Sequence, residues 1–253
     1  MTDAAPDVTV DGFLGGRLQI RQPRNGYRAA TDPVFLAAWV PAKSGESVLE
    51  LGCGVGVASL CLGARVAGLT QTGLELQAAY AALARQNAES NGIPLEVVQG
   101  DLTNMPADLK GKSFDHVLAN PPFFPEGRVS KPQNDGKSLA FVTGDSTGVW
   151  IDAGLRRLRA GGVFTMIHLS EHLGEILAGF TGRAGNIEIL PISARQDKPA
   201  KRVLVRATKS ARGPLRLLSP FVVHSGAAHV QGQPDYSAEA EGLLRHGQGL
   251  DRA

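Results

Sequence analysis

Asn120-Pro121-Pro122-Phe123 places a carboxamide, a stiff backbone pair and an aromatic ring in consecutive residues. The Asn120 side-chain oxygen can accept one hydrogen of a planar amine. The Pro121 carbonyl can accept the other, because consecutive prolines hold the backbone extended. Acceptors fixed in this way favour a pyramidal nitrogen and free its lone pair for attack. This is preorganised electrostatic catalysis and needs no strong general base. Phe123 offers a face on which a flat base can stack, and Phe124 either lines the same pocket or packs inward. An adenine amine and a glutamine side-chain amide both meet these requirements.

Upstream, Val48-Leu49-Glu50-Leu51 runs into a turn bearing Gly52, Gly54 and Gly56. Such a turn lets the backbone approach a ligand and aims the free N–H groups of the next helix at it. A dinucleotide signature requires a further glycine, but Val57 and Ser59 occupy the positions where it would fall. Glu50, just before the turn, suits a ligand carrying ammonium or sulfonium and repels a pyrophosphate. Glu75 lies 23 residues beyond Gly52, near the spacing of about 20 at which a carboxylate accepts from ribose hydroxyls. Asp101 ends the next strand and can face an adenine amine. Beside the amine clamp, these residues point to methyl transfer from an adenosine-containing sulfonium cofactor.

The elements that must position these groups follow from the hydrophobic pattern. Residues 47–51, 69–74, 95–99 and 114–119 read as short buried strands. A helix follows the glycine turn to about Leu62, and another, rich in Ala, Leu, Arg and Gln, spans 77–90 and stops at Asn91-Gly92. Alternation of strand and helix predicts a parallel, doubly wound α/β sheet. Residues 12–20 suggest a small hairpin around Gly15-Gly16, and Asp32 with Pro33 opens a helix through Trp39. Later helices are expected near 150–158, 171–180 and 238–245, with strands at 163–167, 187–190 and 202–206. The segment from Phe124 to Gly148, broken by Gly and Pro, reads as a functional or partly disordered loop. One domain is expected over residues 12–245, with a flexible lead over 1–11 and a flexible tail over 246–253.

Hydrophobic content of 43% and charged content of 20% fit an ordinary globular chain. Cys53 and Cys61 are too few for a disulfide scaffold or a cysteine zinc site, so no metal is expected. The acidic start lacks the pattern of a secretion or transit signal, and no long apolar run occurs; a cytoplasmic location is the expectation. The net charge is only +2, but the bases cluster. Arg17, Arg21, Arg24 and Arg28 form one group, Arg128, Lys131 and Lys137 a second, and Arg195, Lys198, Lys201 and Arg202 a third. Each group is either a phosphate-binding rim or a solubilising surface.

Taken together, the chain resembles the class I S-adenosylmethionine-dependent methyltransferases and, within them, the bacterial tRNA1(Val) adenine-37 N6-methyltransferase family. The likeness runs roughly from Gly12 to Arg245. It rests on Gln22-Pro23-Arg24-Asn25-Gly26-Tyr27-Arg28, Asp32-Pro33-Val34-Phe35-Leu36-Ala37, the glycine turn and Leu74-Glu75-Leu76. It continues through Ala84-Arg85-Gln86-Asn87, Asn91-Gly92, the Asn-Pro-Pro-Phe turn, Pro191 and Ala200-Lys201-Arg202-Val203-Leu204-Val205.

The resemblance implies a Rossmann-like fold with a seven-stranded mixed sheet, its last strand antiparallel. It also implies that Tyr27 and Arg28 help close the cofactor site, that Glu75 holds the ribose and Asp101 the adenine. Glu50, Gly52, Gly54, Gly56 and Asn120 complete the expected cofactor site, and Asn120, Pro121, Pro122 and Phe123 hold the target base. The implied reaction is N6-methylation of adenine in structured RNA, with tRNA adenine 37 as the family's target. Where relatives carry a basic–acidic pair beyond the catalytic turn, this chain reads Phe141-Val142-Thr143-Gly144-Asp145, a segment expected to help choose the substrate. A protein-glutamine or other nucleic-acid N-methyltransferase, and a nonenzymatic RNA-binding module, are the rival readings. Monomer and homodimer both remain open.

Overall fold

A computed structural model describes residues 7–122, 147–229 and 235–252. Strands β1 (Val8–Phe13) and β2 (Leu18–Pro23) form an antiparallel hairpin, followed by helix α1 (Asp32–Trp39). The central layer then alternates β3 (Ser47–Leu51), α2 (Val57–Arg65), β4 (Thr70–Glu75), α3 (Ala78–Asn91) and β5 (Glu96–Gln99). A short α4 (Ala107–Lys110) leads to β6 (Phe114–Ala119). After α5 (Thr147–Arg157) come β7 (Leu158–Leu169), α6 (Leu173–Phe180), β8 (Ala184–Ser193) and β9 (Ala200–Lys209). Two-residue strands β10 (Arg216–Leu217) and β11 (Phe221–Val222) precede α7 (Ala238–His246).

The large sheet runs β8-β9-β7-β6-β3-β4-β5, with β10 and β11 added along the outer edge of β8. Its seven long strands match the expected count. Pairing of β9 is antiparallel to both β7 and β8, as expected for the last long strand. The two added pieces make nine strands in all and cover an edge that would otherwise expose unpaired backbone.

Alternation along each strand splits the apolar residues between two faces. Val48, Leu118, Ile167 and Leu204 pack with α1, α2 and α7 residues such as Trp39, Leu60 and Leu243. Leu49, Leu51, Val117, Phe164 and Val205 face the other way, against Trp150, Ile151, Ile176 and Phe180 of α5 and α6. Cys53 and Cys61 are free and buried, and burial raises both thiols above their ordinary value. Among the described residues no helix is long and apolar enough to cross a membrane.

Both chain ends differ from expectation. The lead expected to be flexible over 1–11 joins the hairpin from Val8, because Thr9, Val10 and Asp11 pair with Gln22, Arg21 and Ile20. The tail expected to be flexible from 246 is tied down by buried Leu250, whose N–H donates 2.8 Å to the Ala38 carbonyl. Arg252 pairs with Glu239 there. Helix α1 starts from Thr31 as its N-cap rather than Asp32; the Asp32 carboxylate instead meets Arg202 at 3.0 Å.

The hairpin is fastened to the sheet domain by side chains of α3. Asn87 Oδ1 accepts from the Arg21 N–H at 2.8 Å, and its Nδ2 donates to the Arg21 carbonyl at 3.1 Å. Asn91 does the same for Gln19, at 2.9 Å for both bonds. The helix thus satisfies the free edge of β2 as a neighbouring strand would.

Candidate active site

Strands β3 to β7 that are parallel share one carboxyl edge, and the order β6-β3-β4 reverses direction at β3. A ligand crevice forms at such a switch point. Leu51 pairs with Ala119, so the next residues, Gly52 and Asn120, leave the sheet side by side. The two turns singled out from the sequence are therefore neighbours.

The glycine turn is shaped by its backbone angles. Gly52, Gly54 and Gly56 have φ of 63°, 55° and 89°, a region that L side chains enter only with strain. At Gly52 a Cβ would meet a Trp150 ring carbon at 2.6 Å, whereas at Gly54 nothing lies within 4 Å. Gly54 thus borders open space.

Of the three acids, Glu75 bonds the turn directly, Glu50 bonds the helix that follows it and Asp101 closes β5. Glu75 is buried; its Oε2 accepts from the Gly54 N–H and its Oε1 from the Gln77 N–H, each at 2.8 Å. Two backbone donors fix this carboxylate and leave lone-pair positions for a diol. Burial raises its carboxyl above the ordinary value against the pull of those bonds. Glu50 is also buried, with one oxygen accepting from the Ser59 N–H at 3.0 Å and from the Ser59 hydroxyl at 2.5 Å. It caps the first turn of α2, and burial pushes its carboxyl up to about 8. Asp101 holds the Thr103 N–H at 2.7 Å and its hydroxyl at 2.8 Å through Oδ1, which orders the chain just after β5.

On the reaction side, Pro121 is buried and Asn120 and Pro122 are half-buried. Asn120 Nδ2 donates to the Tyr27 hydroxyl at 3.4 Å. The Oδ1 of the same carboxamide is shielded from solvent and has no hydrogen-bond partner among the described residues. An acceptor in that state is costly unless something later donates to it. Tyr27 is 48% exposed as a whole residue, but desolvation of its hydroxyl, followed by the Asp32 and Glu50 carboxyl groups, pushes the phenol up to about 12.

Arg28, grouped with Tyr27 by sequence, directs its guanidinium to the hairpin: Thr9 Oγ1 at 2.7 Å, the Pro23 carbonyl at 2.8 Å and Asp11 at 2.5 Å. Phe123 and Phe124, the bases Arg128, Lys131 and Lys137, and the Phe141-to-Asp145 segment lie outside the described residues. Of the remaining bases, Arg24 pairs with Asp7 at 2.9 Å and Arg195 with Asp235 at 2.7 Å, while Lys198 and Lys201 are exposed. Sequence reasoning missed Ser59, Trp150 and Tyr80. Each looks like a helix or core residue until the turns it supports are seen.

The fold is the Rossmann-like fold of class I methyltransferases, with its crevice at the β3–β6 switch. Residues 31–134 match the methyltransferase small domain family. A solved structure described as a predicted O-methyltransferase from Agrobacterium tumefaciens superposes with a TM-score of 0.68 at 24% identity, covering 87% of this chain and 99% of that one. The Thermus thermophilus 16S rRNA N2 G1207 methyltransferase, solved with AdoMet and guanosine, gives 0.57 at 17% identity over 83% of this chain and 52% of its own.

Within that class the sequence is similar to curated tRNA1(Val) (adenine(37)-N6)-methyltransferases. The Photorhabdus laumondii protein is 27% identical over 208 residues, covering 80% of this chain and 84% of the relative. The Shewanella amazonensis protein is 33% identical over 121 residues, covering 47% and 50%. These are the relatives that the Asn-Pro-Pro-Phe turn and its flanking motifs anticipate.

Proposed function

We propose that this protein transfers a methyl group from S-adenosylmethionine to the N6 amine of adenine in RNA, with adenine 37 of a tRNA as the target. The observation carrying this reading is the buried, unpartnered Oδ1 of Asn120, one step from the glycine turn. An oxygen shielded from water and lacking a donor suits an exocyclic amine.

The crevice fits the cofactor by its own chemistry. Open space at Gly54 admits a nucleoside, and Glu50 and Glu75 supply two buried carboxyl groups that a cationic ligand draws into the charged form. Bound there, S-adenosylmethionine supplies an electrophilic methyl on a cationic sulfur. Glu75, fixed by two backbone donors, accepts from the ribose diol. Asp101 faces the adenine edge, and Glu50 favours the positive end of the ligand through the turn.

Asn120 Oδ1 and the Pro121 carbonyl accept the two hydrogens of the target amine. That draws the nitrogen out of conjugation and turns its lone pair toward the methyl carbon. The bound cofactor would supply the methyl and leave as a neutral thioether, while Asn120 and Pro121 hold the amine, whose surplus proton would pass to water. RNA is held through its phosphates by exposed bases such as Lys198 and Lys201, beyond the ends of β8 and at the start of β9. A tRNA substrate places the work in the cytoplasm.

The test is labelled methyl transfer to unmodified total RNA followed by nucleoside identification. N6-methyladenosine in a tRNA anticodon loop is expected. Label in another nucleoside, or in protein glutamine, would overturn the reading. N6-methyladenosine elsewhere in RNA would keep the chemistry and reject the position.

A further inference from the structure

Tyr80 sits in the first turn of α3, shortly after Glu75, and is buried in the apolar cluster that also holds Val55, Val57 and Leu83. Its hydroxyl makes two bonds to one residue. It accepts from the Tyr27 N–H at 3.0 Å and donates to the Tyr27 carbonyl at 3.2 Å. Gly26 has φ of 110°, and a Cβ there would lie 2.8 Å from the Tyr80 hydroxyl oxygen. Only glycine lets the backbone come this close.

The segment between β2 and α1 has no regular structure of its own; Arg28 and Ala29 tie it to the hairpin, and the Tyr80 bonds hold the Tyr27 peptide itself. Tyr27 in turn receives the Asn120 Nδ2 hydrogen, and the orientation of that carboxamide leaves Oδ1 as the acceptor. Without that bond the carboxamide turns freely, and its acceptor and donor ends exchange places. The chain from Tyr80 through Tyr27 to Asn120 removes that freedom.

We infer that Tyr80 is a positioning residue for methyl transfer: it grips the Tyr27 backbone so that the Tyr27 phenol orients the Asn120 carboxamide toward the target amine. This rests on the function proposed above. It also ties the cofactor side to the reaction side, because Tyr80 shares its helix with the residues that follow Glu75. The two halves of the crevice meet at one rigid element: Asn87 on the same helix fastens the hairpin and also donates to the Val55 carbonyl of the glycine turn at 3.0 Å, whereas Asn91 bonds the hairpin at Gln19.

The experiment compares Tyr80→Phe, Tyr27→Phe, the double variant and Asn91→Ala in the full chain. Single-turnover transfer to RNA, cofactor affinity and thermal midpoint are measured for each. Tyr80→Phe keeps the packed ring and loses only the grip. Its transfer rate is expected to fall by on the order of ten- to a hundredfold, with cofactor affinity changed less than about twofold. Tyr27→Phe is expected to lose a similar factor, and the double variant little more, because both act through one carboxamide. Asn91→Ala is expected to lower the thermal midpoint without slowing transfer.

A wild-type rate in Tyr80→Phe would overturn the inference, and so would losses that multiply fully in the double variant. Slowing of Asn91→Ala in proportion to its lost stability would also overturn it, since loosening alone would then explain the effect. A wild-type protein that labels no RNA defeats the proposed function as well, a failure distinct from that of Tyr80.

Discussion

The Tyr27 hydroxyl stands 3.4 Å from Asn120 Nδ2, so a residue before the sheet domain touches the turn that ends β6. With the phenol raised to about 12, deprotonation lies outside the working range. Transfer rates are therefore expected to show no loss between pH 8 and about 10 that Tyr27→Phe abolishes. A pH–rate profile of both proteins checks this.

The glycine turn separates folding from binding. Gly52→Ala forces a Cβ against Trp150 and is expected to lower the thermal midpoint strongly. Gly54→Ala meets no neighbour, so its backbone cost is about 1–2 kcal/mol, yet its methyl enters the space assigned to the cofactor. Calorimetry should find a folded Gly54→Ala protein with at least tenfold weaker S-adenosylmethionine binding. Full affinity in that variant would place the cofactor elsewhere.

Glu50 carries a pH dependence whose sign is fixed by burial. Its carboxyl rises from 4.5 to about 8 on folding, so the folded state holds the proton more tightly. The resulting stabilisation is complete below about pH 4.5 and is lost as pH rises to about 8. Denaturant midpoints should fall across that window, and Glu50→Gln should flatten this component. A cationic ligand favours the carboxylate, so cofactor binding at pH 7 should release protons. Titration calorimetry in buffers of different ionisation enthalpy should find less release in Glu50→Gln.

RNA binding through Lys198 and Lys201 implies a salt dependence. Replacing both with Ala should weaken affinity across RNA sequences and reduce the slope of log affinity against log salt by roughly 1 to 2. An unchanged slope would move the phosphate contacts to other residues.

Much of this arrangement was legible in the residues because strand ends carry punctuation. Strands 47–51 and 114–119 form as read, since each is a mostly apolar run ending at a turn. Strand β7 is longer than the expected 163–167 because Gly161-Gly162 bends within the strand, where pairing with β6 shifts register. The ends of the chain misled because their anchors are tertiary: Leu250 gains burial only against distant elements. Asn120 and Glu75 could be found from position alone. The work assigned to Tyr80 could not, because a buried aromatic on a helix reads as core until the hairpin is docked against it.

The central claim is that Asn120 Oδ1 accepts from the target amine beside the bound cofactor. Single-turnover transfer by Asn120→Ala tests it most directly. The account predicts a rate lower by roughly 10²–10³, with thermal midpoint and S-adenosylmethionine affinity close to wild type. Transfer at the wild-type rate by that folded, cofactor-binding variant would contradict it.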